Sequence, residues 1–406
     1  MSEEVSIPDG VREFVKKLIE KYNLSSPKIT YTRGSNLAEG LMSKTYGVDI
    51  SDDNKSLRLF LKFPLDVTIP GAMPFDSAYS NEVHFYEVII PKFTEFLKEK
   101  GIEGGFQNLP KCYEVTENKA IALENLKTSG YELCDKTFIG NEEHTELIFR
   151  TYAKFHAIGF AYKDQKPEEY GKLVEGIVDL LRTASKDFNA QTMLAGTAAI
   201  QNFLKKLDPE KDKFILDQSQ QIFAKLADFD LQLAMGDSKN SVLIQGDCWC
   251  NNMMFKYNDD KRYPLDMVLF DWQFIRSGSP AFDISSFFYT TAPVSKKVLK
   301  RLDDFLEIYH EELSKQLKMM GSDAEILYPL SALKKEWQQY CKFGFFMAFL
   351  IIKKMLAEND QMPNFETVGM EDALKDEKLF GEVKNEAEYF NRLRNLTEHF
   401  LLNEFF

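Results

Sequence analysis

No apolar run in this chain is long enough to cross a bilayer. The most hydrophobic stretch, Phe343 to Ile352, falls well short of the roughly 20 residues a spanning helix takes. The acidic opening Met1-Ser2-Glu3-Glu4 has no apolar core of a signal peptide. Positive charge is also short. Lys and Arg number 50 against 63 Asp and Glu, a formal charge of −13, so neither nucleic acid nor an anionic membrane is expected as the main partner. Cys112, Cys134, Cys248, Cys250 and Cys341 are odd in number and scattered, which suits a reducing compartment better than a disulfide scaffold. Cys248 and Cys250 flank Trp249, but with 5 histidines and no second Cys pair nearby they do not read as a zinc site. No G-x-G-x-x-G, Walker A loop, G-x-S-x-G or H-E-x-x-H is present. A cytoplasmic globular protein remains, in which the sequons at Asn23 and Asn395 are chance matches.

The 406 residues are enough for two domains or one bilobal unit, and 44% hydrophobic with 28% charged content is that of a folded soluble chain. The first ~120 residues read as a small α+β lobe. Thr45–Ile50 and Ser56–Phe63 are strand-like around the turn Ser51-Asp52-Asp53-Asn54-Lys55, with Leu57, Leu59, Leu61 and Phe63 on one face and Arg58, Phe60 and Lys62 on the other. Pro64, Pro70 and Pro74 break the chain before a helix over about Ser77 to Ile90. Further strands are expected near Lys111–Val115 and Ala120–Glu124. From about Asn141 onward helical spacing dominates. The expected division is an N-terminal lobe over residues 1–123, a hinge over 124–128 and a large, mainly helical C-terminal lobe over 129–406.

The chemistry concentrates in Gln245-Gly246-Asp247-Cys248-Trp249-Cys250-Asn251-Asn252 and in Asp271-Trp272-Gln273. Between them, Met253–Tyr257 and Asp266–Phe270 flank the polar turn 258–262, a hairpin pattern. Pairing Met253 with Phe270 would set Asn252 and Asp271 side by side at its open end, with Asp247 on the loop leading in. Two oxygen ligands for a hard cation and a nearby free carboxylate are what phosphoryl transfer from a metal nucleotide requires. Asp247 is the candidate for orienting the acceptor hydroxyl and taking its proton; Asn252 and Asp271 are the candidate magnesium ligands. Taken singly, each has a bland reading: a turn aspartate after glycine, a strand-start cap, a strand-end turn. Jointly the spacing favours the site. Lys62 is the candidate contact for nucleotide phosphates, paired with Glu82 in preference to Glu87, though a lone strand lysine is as readily a solvated one. Asp283 reads as a helix N-cap and His156 as a satisfied core histidine.

At these residues the sequence resembles the ecdysteroid kinase-like family of arthropods, within the aminoglycoside phosphotransferase and choline kinase group. The likeness runs from about residue 35 to about residue 350 and adds, in order, Leu61-Lys62, Asn81-Glu82 with Phe85-Tyr86, Leu123-Glu124-Asn125-Leu126, Ala153-Lys154-Phe155-His156-Ala157 and Gly278-Ser279-Pro280-Ala281-Phe282-Asp283. The resemblance implies a protein-kinase-like bilobal α+β fold and transfer of the ATP γ-phosphoryl group to a small-molecule hydroxyl. It implies that Asp247 is the catalytic aspartate, that Asn252 and Asp271 hold Mg2+, and that Lys62 with Glu82 anchors phosphate. Backbone groups around Glu124 to Leu126 would hold adenine, Ser43 would close the phosphate-covering loop that starts near Glu39, and Asp283 would brace the catalytic loop.

This chain departs from the family pattern at three places. Gln245 stands where a histidine is usual, Asn125 where an aspartate is common, and the loop Glu39-Gly40-Leu41-Met42-Ser43 is poor in glycine. Residues 272–282 leave no room for a peptide-docking activation segment and no Ala-Pro-Glu follows, so a small acceptor is expected. A steroid such as an ecdysteroid, or a xenobiotic, is the leading acceptor. A pseudokinase that binds a ligand or acts as a scaffold, and a choline kinase-like enzyme, are the alternatives. The protein is expected to be a monomer or weak homodimer.

Overall fold

Alternation along the paired strands 43–51 and 56–64 builds the sheet that carries Lys62. The computed structural model describes residues 7–34, 43–64, 75–116, 120–134, 141–184, 186–220, 222, 238–291, 295–356 and 385–406. Strands β1 (Lys28–Arg33), β2 (Ser43–Ser51), β3 (Ser56–Pro64), β4 (Cys112–Val115) and β5 (Ile121–Glu124) form one antiparallel sheet in the order β1-β2-β3-β5-β4. The β2–β3 turn is closed by Asp52, whose Oδ1 accepts the Asn54 and Lys55 amides at 2.8 and 2.7 Å. Leu59 and Leu61 are fully buried on one face, while Lys62 is buried on the other.

Helix α1 (Asp9–Lys21), which the sequence reading passed over, covers the leucine face. Val11, Phe14, Val15 and Leu18 recur at helical spacing and pack on Val48, Ile50, Leu59 and Leu61. The opposite face lies under a long helical rod that replaces the expected Ser77–Ile90 helix. It comprises α2 (Phe75–His84), a π-helical turn Phe85–Ile89 and α3 (Ile90–Glu99). Pro91 accounts for the wide turn. It has no N–H to give the Glu87 carbonyl and its ring crowds that group, so the helix opens and the Ile90 amide bonds Phe85 O instead.

The second lobe is built on α4 (Glu142–Gln165), capped by Asn141, whose Oδ1 accepts the His144 amide at 2.8 Å. Strand β6 (Tyr131–Leu133) pairs with β8 (Met253–Tyr257), and β8 with β9 (Pro264–Leu269); β7 (Val242–Ile244) pairs with β10 (Arg276–Gly278). Helices α5 (Pro167–Glu175), α6 (Lys186–Lys205), α7 (Pro280–Thr290), α8 (Leu302–Met319), α9 (Leu330–Leu356) and α10 (Glu386–Leu402) complete it. The α7–α9 contact is close because Gly344 sits where a Cβ would lie 2.8 Å from Ser285 O. A small sheet-rich lobe and a large, mainly helical one make this a bilobal α+β fold.

One buried cluster runs through both lobes, and a separate one lies under α1. Phe85 of the rod stacks on Trp272 at 4.0 Å between ring centres, and Phe155 of α4 meets the same indole at 4.7 Å. No helix among the described residues is long and apolar enough to cross a membrane, and all five cysteines are free thiols.

Candidate active site

Glycine 246 makes the loop possible. It sits at φ +81°, and a Cβ there would lie 2.2 Å from Phe274 O, so only glycine lets β7 turn sharply into Asp247. The turn is held from beneath by Asp283 in the first turn of α7. Its fully buried carboxylate accepts the Gln245 and Gly246 amides at 2.7 and 3.0 Å and faces His156 Nε2 at 3.3 Å. The N-cap expected of Asp283 belongs to Ser279, whose hydroxyl accepts the Ala281 amide at 3.1 Å. His156 is buried and completes its bonding with Tyr309 at 2.9 Å.

Gln245 is bonded on both ends of its amide. Nε2 donates to Phe270 O at 2.9 Å, while Oε1 accepts from the Tyr152 hydroxyl and faces Cys248 Sγ. The residue thus ties the Asp247 loop to the segment that ends in Asp271.

The hairpin register differs from expectation by one residue. Met253 pairs with Leu269, not Phe270, and the Phe270 amide bonds Asn252 O at 3.1 Å. The strands pair closer to the turn than expected, with Tyr257 opposite Pro264, and the irregularity at Lys256/Tyr257 restores one of the two positions. Such a slip would ordinarily turn a side chain to the other face. Asp271, at φ +62°, turns the chain instead and still reaches Lys62.

Around that turn five of the expected residues converge. Lys62 Nζ lies 2.5 Å from Glu82 Oε2 and 3.5 Å from Asp271 Oδ1. Burial opposes the Lys62 charge, but Asp271 and Glu82 outweigh it and hold its pKa above the ordinary lysine value. Glu82 is fixed in turn by Gln273 Nε2 at 3.4 Å, and its neighbour Asn81 bonds Val178 O and Gln273 O at 2.8 and 3.1 Å. Glu87 is exposed on the outside of the rod. Asn252 Nδ2 donates to Asp247 O at 3.0 Å and Asp247 Oδ2 at 2.8 Å, leaving its amide oxygen without a donor among the described residues. Trp249 Nε1 also bonds Asp247 Oδ2, at 3.3 Å, while Oδ1 receives no hydrogen bond from them. Burial and the nearby Asp271 charge push the Asp247 carboxyl up to about 6, against the pull of Asn252, Lys354 and Trp249.

Three other expected residues lie apart from this cluster. Glu124 ends β5, with its carboxylate held by the Ser129 hydroxyl. Leu126 packs on Met254 and Val268 of the hairpin, and its backbone N–H meets no acceptor among the described residues. Ser43 opens β2 opposite Pro64, buried and not bonded to the cluster; residues 39–42 of the expected phosphate loop lie outside the described residues. Sequence reading missed the parts played by Trp249 and Lys354. Their contact joins distant segments, Lys354 Nζ lying 4.5 Å above the Trp249 ring, and leaves no local pattern to find.

The donor set suits a hard cation. An amide oxygen without a donor and a carboxylate stand beside the half-buried Asp247, all oxygen donors as magnesium prefers. No cluster of three His, Cys, Asp or Glu able to hold a metal occurs among the described residues, so a cation here would draw further oxygens from nucleotide phosphates.

A model of the ecdysteroid kinase-like family matches residues 39–322. No curated protein sequence matches the chain. Among solved structures, the chain is similar to an ethanolamine kinase of Plasmodium vivax, at 13% identity and a TM-score of 0.45 over 100% of this chain and 93% of that one. It is similar also to an aminoglycoside phosphotransferase of Alicyclobacillus acidocaldarius, at 13% identity and 0.42 over 99% and 98%.

Proposed function

Because the chain belongs to the ecdysteroid kinase-like family, a family of small-molecule phosphotransferases, we propose that it moves the γ-phosphoryl group of ATP to a hydroxyl of a small molecule, a steroid such as an ecdysteroid or a xenobiotic. One observation carries this reading: Lys62 of the small lobe meets Asp271, whose charge acts on an Asp247 held by Asn252, and the Phe270 amide next to Asp271 bonds Asn252 O.

In this reading Lys62, kept charged and immobile by Glu82, anchors nucleotide phosphates. Asn252 Oδ1 and the Asp271 carboxylate would hold Mg2+, which when bound would neutralise charge on the phosphates. The Leu126 amide, without an acceptor among the described residues, offers adenine a backbone bond beside Glu124, and Ser43 closes the phosphate side. Asp247 is held by Asn252 and Trp249 through Oδ2 alone, so Oδ1 is the atom that orients the acceptor hydroxyl and receives its proton. Catalysis is mostly placement, and the braces from Asp283 and Gln245 supply it.

Hydroxylated steroids, plant phenolic glycosides and choline incubated with labelled ATP test the reading. Asp247→Ala is expected to abolish labelled product while ATP binding largely survives; equal turnover by wild type and variant would rule out the role. The second reading, a pseudokinase of the same fold, is motivated by Gln245 in the histidine position. It expects no magnesium-dependent thermal shift with ATP, and the bonds Gln245 makes to Phe270 and Tyr152 favour the active reading.

A further inference from the structure

The helical lobe holds a cavity of about 420 Å3 between α8, α9, α10 and the short helix Lys296–Leu299. None of its lining residues belongs to the Asp247 cluster. The volume falls within the roughly 300–1,000 Å3 typical of small-molecule sites. Leu299, Leu302, Leu306, Trp337 and Phe405 give it a buried apolar wall.

One hydrogen-bond donor in that wall lacks an acceptor. The fully buried Tyr289 hydroxyl accepts the Trp337 indole N–H at 3.1 Å and lies 3.2 Å from His399 Nε2. Were the imidazole proton on Nε2, the hydroxyl would face two donors and have no acceptor for its own proton among the described residues. In the other tautomer Tyr289 donates to Nε2 and the imidazole proton sits on Nδ1. Nδ1 faces Asn403 Nδ2 at 3.2 Å, and that nitrogen is itself a donor, oriented by its bond to His399 O at 2.8 Å. Two donors thus meet on residues that line the cavity, and His399 is only 8% exposed. An acceptor from outside the chain would satisfy them. Charge on the lining has the matching sign. Lys296 pairs with Glu398 at 2.6 Å and Lys334 with Asp303 at 2.7 Å, with Glu307, outside the lining, 3.9 Å from the same ammonium. Both lining carboxylates are therefore held by lysines, while Lys300 on the same lining has no carboxylate partner among the described residues.

We propose that this cavity is a second ligand site, for an amphipathic carboxylate whose head takes the His399 N–H and is favoured by Lys300 while its apolar body lies against Trp337 and the leucines. The site shares no residue with the Asp247 cluster, so the proposal stands apart from the phosphotransfer reading.

Decanoate, 1-decanol and decyltrimethylammonium share one chain and differ in the charge of the head group. Each is titrated calorimetrically, below its micelle concentration and near neutral pH, into the full chain as wild type, Lys300→Glu and Asn403→Asp. Wild type is expected to bind decanoate about tenfold or more tighter than the cation, with the alcohol between. Lys300→Glu should lower decanoate affinity about threefold or more and leave the alcohol unchanged. Asn403→Asp sets a carboxylate of the chain's own beside Nδ1, where it takes the N–H and repels a second anion. That variant should cost decanoate about tenfold or more, with a smaller loss for the alcohol. Both substituted side chains are exposed, and thermal unfolding of each variant checks that the fold is kept. Equal binding of the three compounds by wild type, failure of all three to bind, or a decanoate affinity unchanged in either folded variant would overturn the proposal.

Discussion

Lys62 and Glu82 are both almost wholly buried, so removing either alone leaves a charge with no water to receive it. Lys62→Met is expected to destabilise the fold by about 3–5 kcal/mol, because the stranded Glu82 keeps its desolvation cost and loses its partner. Lys62→Met combined with Glu82→Gln should recover most of that loss in urea unfolding while phosphoryl transfer stays absent. A single variant as stable as wild type would show that the pair is not the buried ion pair described. At this scale the grouping of these residues was largely legible. Asp247, Asn252 and Asp271 lie within one short string, and Glu82 lies one helix after Lys62. What sequence could not supply were cross-chain partners, such as Gln273 beneath Glu82 or Lys354 over Trp249, which depend on how whole helices pack.

Elements place these residues through a few backbone decisions. The β7-to-Asp247 turn depends on Gly246, and Gly246→Ala would add about 1–2 kcal/mol of left-handed strain plus a clash with Phe274 O. Activity should fall with stability, by urea titration and turnover on the same preparation. The hairpin was legible to within one residue, and the shortfall has a cause: the strands pair closer to the turn than its polar stretch suggests, with Tyr257 opposite Pro264, and the irregularity beside that pair restores only one of the two positions. Helix α1 was missed although Val11, Phe14, Val15 and Leu18 carry the helical period in plain view. Helix α10 yields the pH prediction. The Tyr289 hydroxyl accepts the Trp337 indole N–H at 3.1 Å and is thereby set to donate to His399 Nε2, 3.2 Å away. Burial lowers the His399 pKa from 6.5 to about 4. Above pH 6.5 both folded and unfolded states leave it neutral. As pH falls from 6.5 toward 4 only the unfolded state gains the proton, so stability is lost, by about 3 kcal/mol at the lower end. His399→Gln should remove that share of the loss, read as the difference in unfolding free energy between pH 7.5 and 4.5 for the two proteins.

Across the whole molecule, the two lobes are not independent bodies joined by a strap. The same buried cluster contains Ile121 and Leu123 of the small sheet, Phe85, Ile89 and Phe93 of the rod, and the core of the helical lobe. The rod thus presents Glu82 to Lys62 on one side and is clamped through Phe85, Trp272 and Phe155 on the other. This explains why the bilobal plan was readable from composition shifts while the continuity between lobes was not: alternation and helical period report faces, not what each face meets. Trp272 is the natural place to test that continuity. It is fully buried in the segment that begins with Asp271, and its indole N–H has no hydrogen-bond partner among the described residues, so its contribution is packing. Trp272→Ala should cost about 3–5 kcal/mol as a large core truncation. Because both lobes share the contact, far-ultraviolet dichroism and a fluorescent label on the small lobe should shift to lower denaturant together, in one transition. Trp272→Phe, which keeps a ring for Phe85 to stack on and removes the unpaired N–H, should lose much less. Two separated transitions in the alanine variant would mean that the lobes fold on their own, and that the Lys62–Glu82 pair is assembled by docking rather than by the core.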